Sequence, residues 1–265
     1  MKDTPTKVSR RRILGAMAIA PLCTVVGTET AQAQVKPFTF VLVHGAWHGG
    51  WCWKKLTPLL KAAGFPVFTP TLTGLGERAH LISSDVNLTM HIEDIVAVLE
   101  YEDLHDVVLV GHSYGGMVIA GVAEKESSRV AQLVYLDAFL PEDGKSVKDY
   151  AKLNPTRDDG WRVPVPGSAP RFGVTDERDI AWMEKRIGDQ PNKTFTEPIR
   201  LSDDKTRSVK KSYVQCTKSP FFSEAAERAK KNGFRSRELF AGGHDVMVSQ
   251  PELLAKVLLE LVVAT

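Results

Sequence analysis

The stretch DVVLVGHSYGGMVIAGVAEK, residues 106–125, decides the fold. Val107 to Val110 make an apolar run of strand length, a glycine-rich turn follows at 111–116, and Met117 onward reads as a helix. Inside the turn, Gly111 to Gly115 spell G-x-S-x-G. The pattern alone is weak, and its place between a strand and a helix gives it meaning. There Ser113 occupies a sharp turn whose flanking glycines relieve crowding. Its hydroxyl then stands above a sheet, with helix N-terminal amides facing whatever it attacks.

Strands and helices alternate on either side. FTFVLVHG (38–45) reads as a buried strand, LTPLLKAAG (56–64) as a helix and PVFTPTL (66–72) as a strand. From Met90 to Tyr101, Ile92, Ile95, Val96 and Leu99 fall at helical spacing. Beyond the central stretch come the strands RVAQLVYLD (129–137) and KSYVQC (211–216), a helix from about Pro220, the short strand SRELF (236–240) and a last helix. That helix opens with Ser249 and Glu252 at capping-box spacing. The alternation predicts an α/β fold, a mostly parallel sheet with helices on both faces. From about Phe139 to Arg207 the alternation stops. Prolines and charges gather there with Trp161, Phe172, Trp182 and Met183, which predicts an ordered cap inserted between strands, 139–207, over a site.

A serine hydroxyl needs a base to attack an ester at neutral pH, and imidazole has the right pKa. Of the seven histidines, His244 follows the last strand in FAGGHDVM, where Gly242 and Gly243 let the backbone turn. In the chain order that goes with this turn, the base comes last. The oxyanion of a tetrahedral intermediate needs two donors. They are expected from the amides of Tyr114, the residue after Ser113, and Ala46, in the loop after the first strand. Trp47 and His48 in that loop either line the pocket or pack.

At 265 residues, 43% hydrophobic and 25% charged, the chain has ordinary globular composition. Its N-terminus is set apart. SRRRILGAMAIAPLC joins a basic cluster to a short apolar run, and Ala31 to Ala33 offer a small-residue cleavage site, the pattern of an export signal over 1–33. Arg10 and Arg11 resemble the twin-arginine type. The apolar run is too short for a stable membrane anchor, and Pro21 and Leu22 before Cys23 argue against lipid attachment. Periplasmic or secreted localisation follows. Cleavage removes five basic and two acidic residues, turning a net charge of +2 into −1, with no basic excess for nucleic acid. Cys52 and Cys216 then remain, without metal-ligand spacing, and are expected as two buried thiols rather than a disulfide. The sequence carries no signal for oligomeric state.

The motifs LVHGAWHGGWCW (42–53), LVGHSYGGM (109–117) and GGHDVM (242–247) resemble the α/β-hydrolase superfamily, particularly the branch of plant methylesterases, hydroxynitrile lyases and bacterial esterases. The resemblance spans 36–265, with the hydrolase domain at 34–265. It implies an eight-stranded, mostly parallel sheet, lacking its first strands here, and a cofactor-free, metal-free Ser, His, acid mechanism. Plant members carry the acid a few residues after the strand that here reads KSYVQC. In CTKSPFF, Lys218 and Ser219 stand there instead, and Ser219 with Pro220 reads as a helix start. Some relatives place the acid after the preceding strand, and there Asp137 ends an apolar run. Asp137 either orients His244 or caps the turn at Pro141, or pairs with Arg162 or Arg171. Hydroxynitrile lyases carry Lys just after the catalytic His, and Asp245 stands in its place. The expectation is a serine hydrolase cleaving small to medium apolar or aromatic esters, with Ser113, His244 and Asp137 catalytic and Trp47, Phe139, Trp161 and Trp182 lining the substrate site. An amidase or C–C bond hydrolase on the same residues, or a ligand-binding receptor with residual activity, stays open.

Overall fold

The computed structural model describes Met1 and residues 38–263 apart from Leu153, Asp203 and Pro220. The expected export signal, 1–33, lies outside the described residues except for Met1. In chain order the elements are β1 (Thr39–Val43), α1 (Thr57–Ala62), β2 (Val67–Phe68), α2 (Leu88–Tyr101), β3 (Val107–His112), α3 (Gly115–Glu126) and β4 (Val130–Leu136). The intervening segment holds β5 (Arg162–Val163), α4 (Glu177–Glu184), β6 (Gln190–Pro191) and α5 (Lys193–Thr196). There follow β7 (Lys210–Cys216), α6 (Ser223–Lys231), β8 (Arg235–Leu239), α7 (Val246–Ser249) and α8 (Pro251–Val263).

Six strands form one sheet in the order β2-β1-β3-β4-β7-β8, and every neighbouring pair is parallel. All their carboxyl ends therefore meet one edge, and the chain reverses its direction of travel across the sheet between β1 and β3, where α/β sheets open a crevice. Alternation sorts the side chains. Val41, Leu109, Leu133 and Tyr213 join residues of α2, α3 and α6 in one core, while Phe40, Leu42, Val110, Val134 and Val214 join α1 and α8 in another. Helices on both faces follow from strands that are apolar on both sides. Among the described residues the sheet is parallel and six-stranded, with helices on both faces, as the alternation of strands and helices predicts.

Two local readings are corrected. The helix expected from about Pro220 begins at Ser223, and the Ser219 hydroxyl instead accepts from the amide of Phe221 at 3.4 Å. The Ser249–Glu252 spacing makes no capping box: Ser249 ends α7 and its hydroxyl donates to the Asp245 carbonyl at 3.2 Å, while α8 starts at Pro251. The helical spacing of Ile92 to Leu99 belongs to α2, which Asn87 caps by accepting from the Met90 amide at 2.8 Å.

Candidate active site

Ser113 sits between β3 and α3 with φ 54°, in the left-handed region that a residue with a β-carbon occupies only under constraint. The constraint is visible. A β-carbon on Gly111 would lie 2.5 Å from the Gly115 carbonyl oxygen, and one on Gly115 would lie 2.7 Å from that of Val43, so the turn closes only with glycine at both places. The Ser113 amide donates to Leu136 O at 3.2 Å and its carbonyl accepts from the Phe139 amide at 3.1 Å. The turn is thus pinned to the chain leaving β4.

That chain carries Asp137, also left-handed at φ 42°. Its amide donates to Val214 O at 2.7 Å, and Oδ1 accepts from the Cys216 amide at 3.2 Å. The Tyr213 hydroxyl fixes the next residue, accepting from the Ala138 amide at 3.1 Å and donating to its carbonyl at 2.8 Å. With one oxygen held by backbone, the other, Oδ2, accepts from His244 Nδ1 at 2.7 Å. Asp137 is 1% exposed and His244 5% exposed. Neither Arg162 nor Arg171 pairs with Asp137: Arg162 engages Asp159 and Asp189, and Arg171 lies over the Phe221 ring.

With Nδ1 engaged, the other ring nitrogen of His244 has no recorded partner among the described residues. Ser113 and His244 line one cavity of about 210 Å³, together with Ala46, Trp47, Tyr114 and Phe139. Among the described residues neither the Ala46 nor the Tyr114 amide donates a hydrogen bond. Two free donors thus belong to residues on the same wall as the hydroxyl.

Two expected lining residues are elsewhere. Trp182 packs edge-on against Trp51, 5.1 Å between ring centres, and Trp161 lies against Arg162. Their places are taken by rings that sequence reasoning left unassigned to the wall, Phe172, Phe195, Phe221 and Phe222. Phe222 stacks on the His244 ring at 5.4 Å. The doublet Phe221–Phe222, just where an acid is missing after β7, was the available signal.

The remaining histidines divide by burial. His80 and His105 are exposed, and His91 lies buried in α2. His44 donates from Nδ1 to Gly45 O and accepts at Nε2 from the Leu72 amide, and burial lowers its pKa to about 3. His91 accepts from Tyr114 Oη and donates to Thr73 O, and burial lowers it to about 4. His112, His244 and Asp245 bring one donor atom each within 4.8 Å of one another. All three residues already have partners, since His244 Nδ1 serves Asp137, His112 Nε2 donates to the His244 carbonyl at 3.0 Å, and Asp245 Oδ2 meets His48 Nε2 at 3.0 Å. Cys52 and Cys216 are both buried free thiols.

Residues 40–257 match the model of the alpha/beta hydrolase family. A carbendazim hydrolyzing esterase from Nocardioides sp. (strain SG-4G) is 40% identical over 238 residues, 82% of this chain and 96% of that protein. Salicylic acid-binding protein 2 of Nicotiana tabacum is 28% identical over 84% of this chain and 96% of its own length. Among solved structures, an extracellular alpha/beta-hydrolase from a Paenibacillus species superposes with a TM-score of 0.75 at 26% identity, covering 84% of this chain and 98% of that one.

Proposed function

The chain belongs to the alpha/beta hydrolase family, and from that premise we propose that it is a serine esterase acting on carboxylic esters through Ser113, His244 and Asp137. The observation that carries the reading is the run of contacts at the sheet's carboxyl edge: a carboxylate oxygen 2.7 Å from one imidazole nitrogen, with the ring and a strained serine on one cavity wall. The esterase names of similar proteins support it.

Ser113 Oγ attacks the ester carbonyl carbon while His244 Nε2 takes its proton. Asp137 holds the ring in the tautomer with Nδ1–H and stabilises the imidazolium that forms. The carbonyl oxygen becomes an oxyanion and accepts from the Ala46 and Tyr114 amides, each worth roughly 10² to 10³ in rate. Collapse breaks the ester bond, and the alcohol leaves with the proton from His244. Water then attacks the acyl-Ser113 ester by the same route and frees the acid. No step calls for a metal or cofactor. The aromatic wall favours an apolar or aromatic acyl or alcohol group of modest size.

Residues 139–207 act as the cap, a role supported by Val147, Tyr150, Phe172 and Phe195, which line the cavity from that segment. Residues 1–33 act as an export signal, and the neighbouring Paenibacillus protein is itself described as extracellular. The mature chain is expected to begin at Gln34 by mass spectrometry of the exported protein. Fluorophosphonate labelling with a p-nitrophenyl ester assay tests the chemistry. Wild type is expected to label and turn over and Ser113→Ala to do neither, whereas a receptor reading requires negligible turnover in wild type.

A further inference from the structure

Beneath the cavity lies a buried polar group that the esterase reading leaves unused. His48 Nδ1 stands 2.6 Å from the Ala46 carbonyl oxygen, and Nε2 stands 3.0 Å from Asp245 Oδ2. Asp245 is fully buried and His48 1% exposed. Carbonyl and carboxylate oxygens both accept, so a ring that satisfies both must carry a proton on each nitrogen. The pair joins two loops 197 residues apart in sequence, one bearing Ala46 and the other His244.

We propose that His48 is a buried imidazolium held by Asp245, and that this ion pair positions the oxyanion-binding loop against the turn of the general base. The inference rests on the esterase reading and names two positioning residues for it. The peptide between Ala46 and Trp47 is held at both ends: its oxygen by His48 and its N–H by Gln190 Oε1 at 3.0 Å. Trp47 itself sits at φ 64°. With that plane fixed, the backbone of Ala46, a residue that lines the cavity, is held in one orientation. Asp245 is tied in turn, its amide donating to Phe172 O at 2.8 Å.

The surroundings suit a charge pair. Trp51 stacks on the His48 ring at 5.2 Å, and Phe172 meets its edge at 5.8 Å, so little water competes. The titratable groups facing the pair are His44, His112, His244 and the thiols of Cys52 and Cys216. His112 Nε2 lies 3.7 Å from Asp245 Oδ1, which has no hydrogen-bond partner among the described residues. Burial opposes charge on His48, yet the Asp245 carboxylate and the Ala46 carbonyl together outweigh it and raise the imidazole above its ordinary value. Burial likewise opposes ionisation of Asp245, and His48 holds it below the ordinary carboxyl value.

The test is Asp245→Asn, which keeps the shape and lets a neutral His48 still donate to Ala46. Loss of the charge is expected to cut kcat for a p-nitrophenyl ester by about 10- to 100-fold, with KM within about twofold. Affinity for a trifluoromethyl ketone, whose hemiketal oxyanion occupies the same donors, is expected to fall in parallel. Histidine ¹⁵N spectra of the wild type should show His48 with two N–H groups at pH 7, a measurement that needs no variant to fold. A neutral His48 in wild type, or Asp245→Asn with wild-type kcat and ketone affinity, overturns the proposal. Failure of wild type to label with fluorophosphonate would sink the esterase reading, and the ¹⁵N spectra would still decide the protonation of His48.

Discussion

Asp137 and His244, 107 residues apart in sequence, meet at 2.7 Å between Oδ2 and Nδ1, while the other carboxylate oxygen is held by the Cys216 amide. This geometry leaves the carboxylate little freedom except to serve the ring. Asp137→Asn keeps an oxygen for the Cys216 amide and turns its NH2, a donor, toward His244 Nδ1, which favours the wrong tautomer of the ring. Turnover of a p-nitrophenyl ester is expected to drop by roughly 10³- to 10⁴-fold, with an unchanged circular dichroism spectrum. Activity within tenfold of wild type would mean that another group orients the base.

How much of this is legible in sequence follows from which forces are local. The Val107–Val110 run and the glycines around Ser113 are read directly, because a strand buried on both faces and a turn without room for a β-carbon leave residue-type signatures. Asp137 is legible as an oddity, a carboxylate ending an apolar strand. What is not legible lies in pairings without period. The cap's aromatics announce packing and say nothing of direction, so Trp161 and Trp182 look as good as Phe172 and Phe195 until the chain is folded. Ser249 and Glu252 imitate a capping box because spacing cannot reveal that Ser249 already serves Asp245. His48 and Asp245 sit in unrelated loops, and nothing in either loop names the other.

Substrate contacts separate the rings that line the cavity from those that do not. Phe222 stacks on His244 and meets Phe139 edge-on at 4.9 Å. Phe222→Ala opens that wall, and KM for short-chain esters is expected to rise while the preferred acyl chain lengthens. Trp161→Ala, at a ring that does not line the cavity, is expected to change neither. A chain-length series of p-nitrophenyl esters measures both, and an altered profile in Trp161→Ala would return that ring to the site.

Cys52 and Cys216 are each 0% exposed, and burial pushes both thiols well above their ordinary value. A thiol that is neither reachable nor ionised is a poor nucleophile. Ellman's reagent is expected to modify neither in native protein at pH 8 and both in 6 M guanidinium. Rapid reaction of the native protein at either position would contradict the packing around β7 and the loop after β1.

Acid should weaken the fold well before the carboxylates titrate, because His44 and His91 are buried with ring nitrogens that accept hydrogen bonds. Their folded values of about 3 and about 4 lie below the ordinary 6.5 expected in the unfolded chain. Between those limits the unfolded state binds more protons, so stability is complete above pH 6.5 and falls as pH drops toward the folded values. Each group is expected to remove about 2 kcal/mol between pH 7 and pH 5. His48 has the opposite sign, since its folded value is raised: its contribution is full below the ordinary 6.5 and is lost as pH rises from there through the folded value. Asp245, held low, adds its loss only below the ordinary 3.8. The sum places the stability maximum near neutrality, with a steep acid side. Burial holds His112 well below the ordinary value too, so it adds a loss of the same sign. Urea midpoints at pH 5 and 7 measure the drop, and His91→Gln, which keeps one donor and one acceptor without a titrating ring, is expected to shrink it by about a third. A midpoint that stays constant from pH 7 to 5 would show that these rings are protonated in the native state, and the hydrogen bonds to Leu72 and Tyr114 would then be wrong.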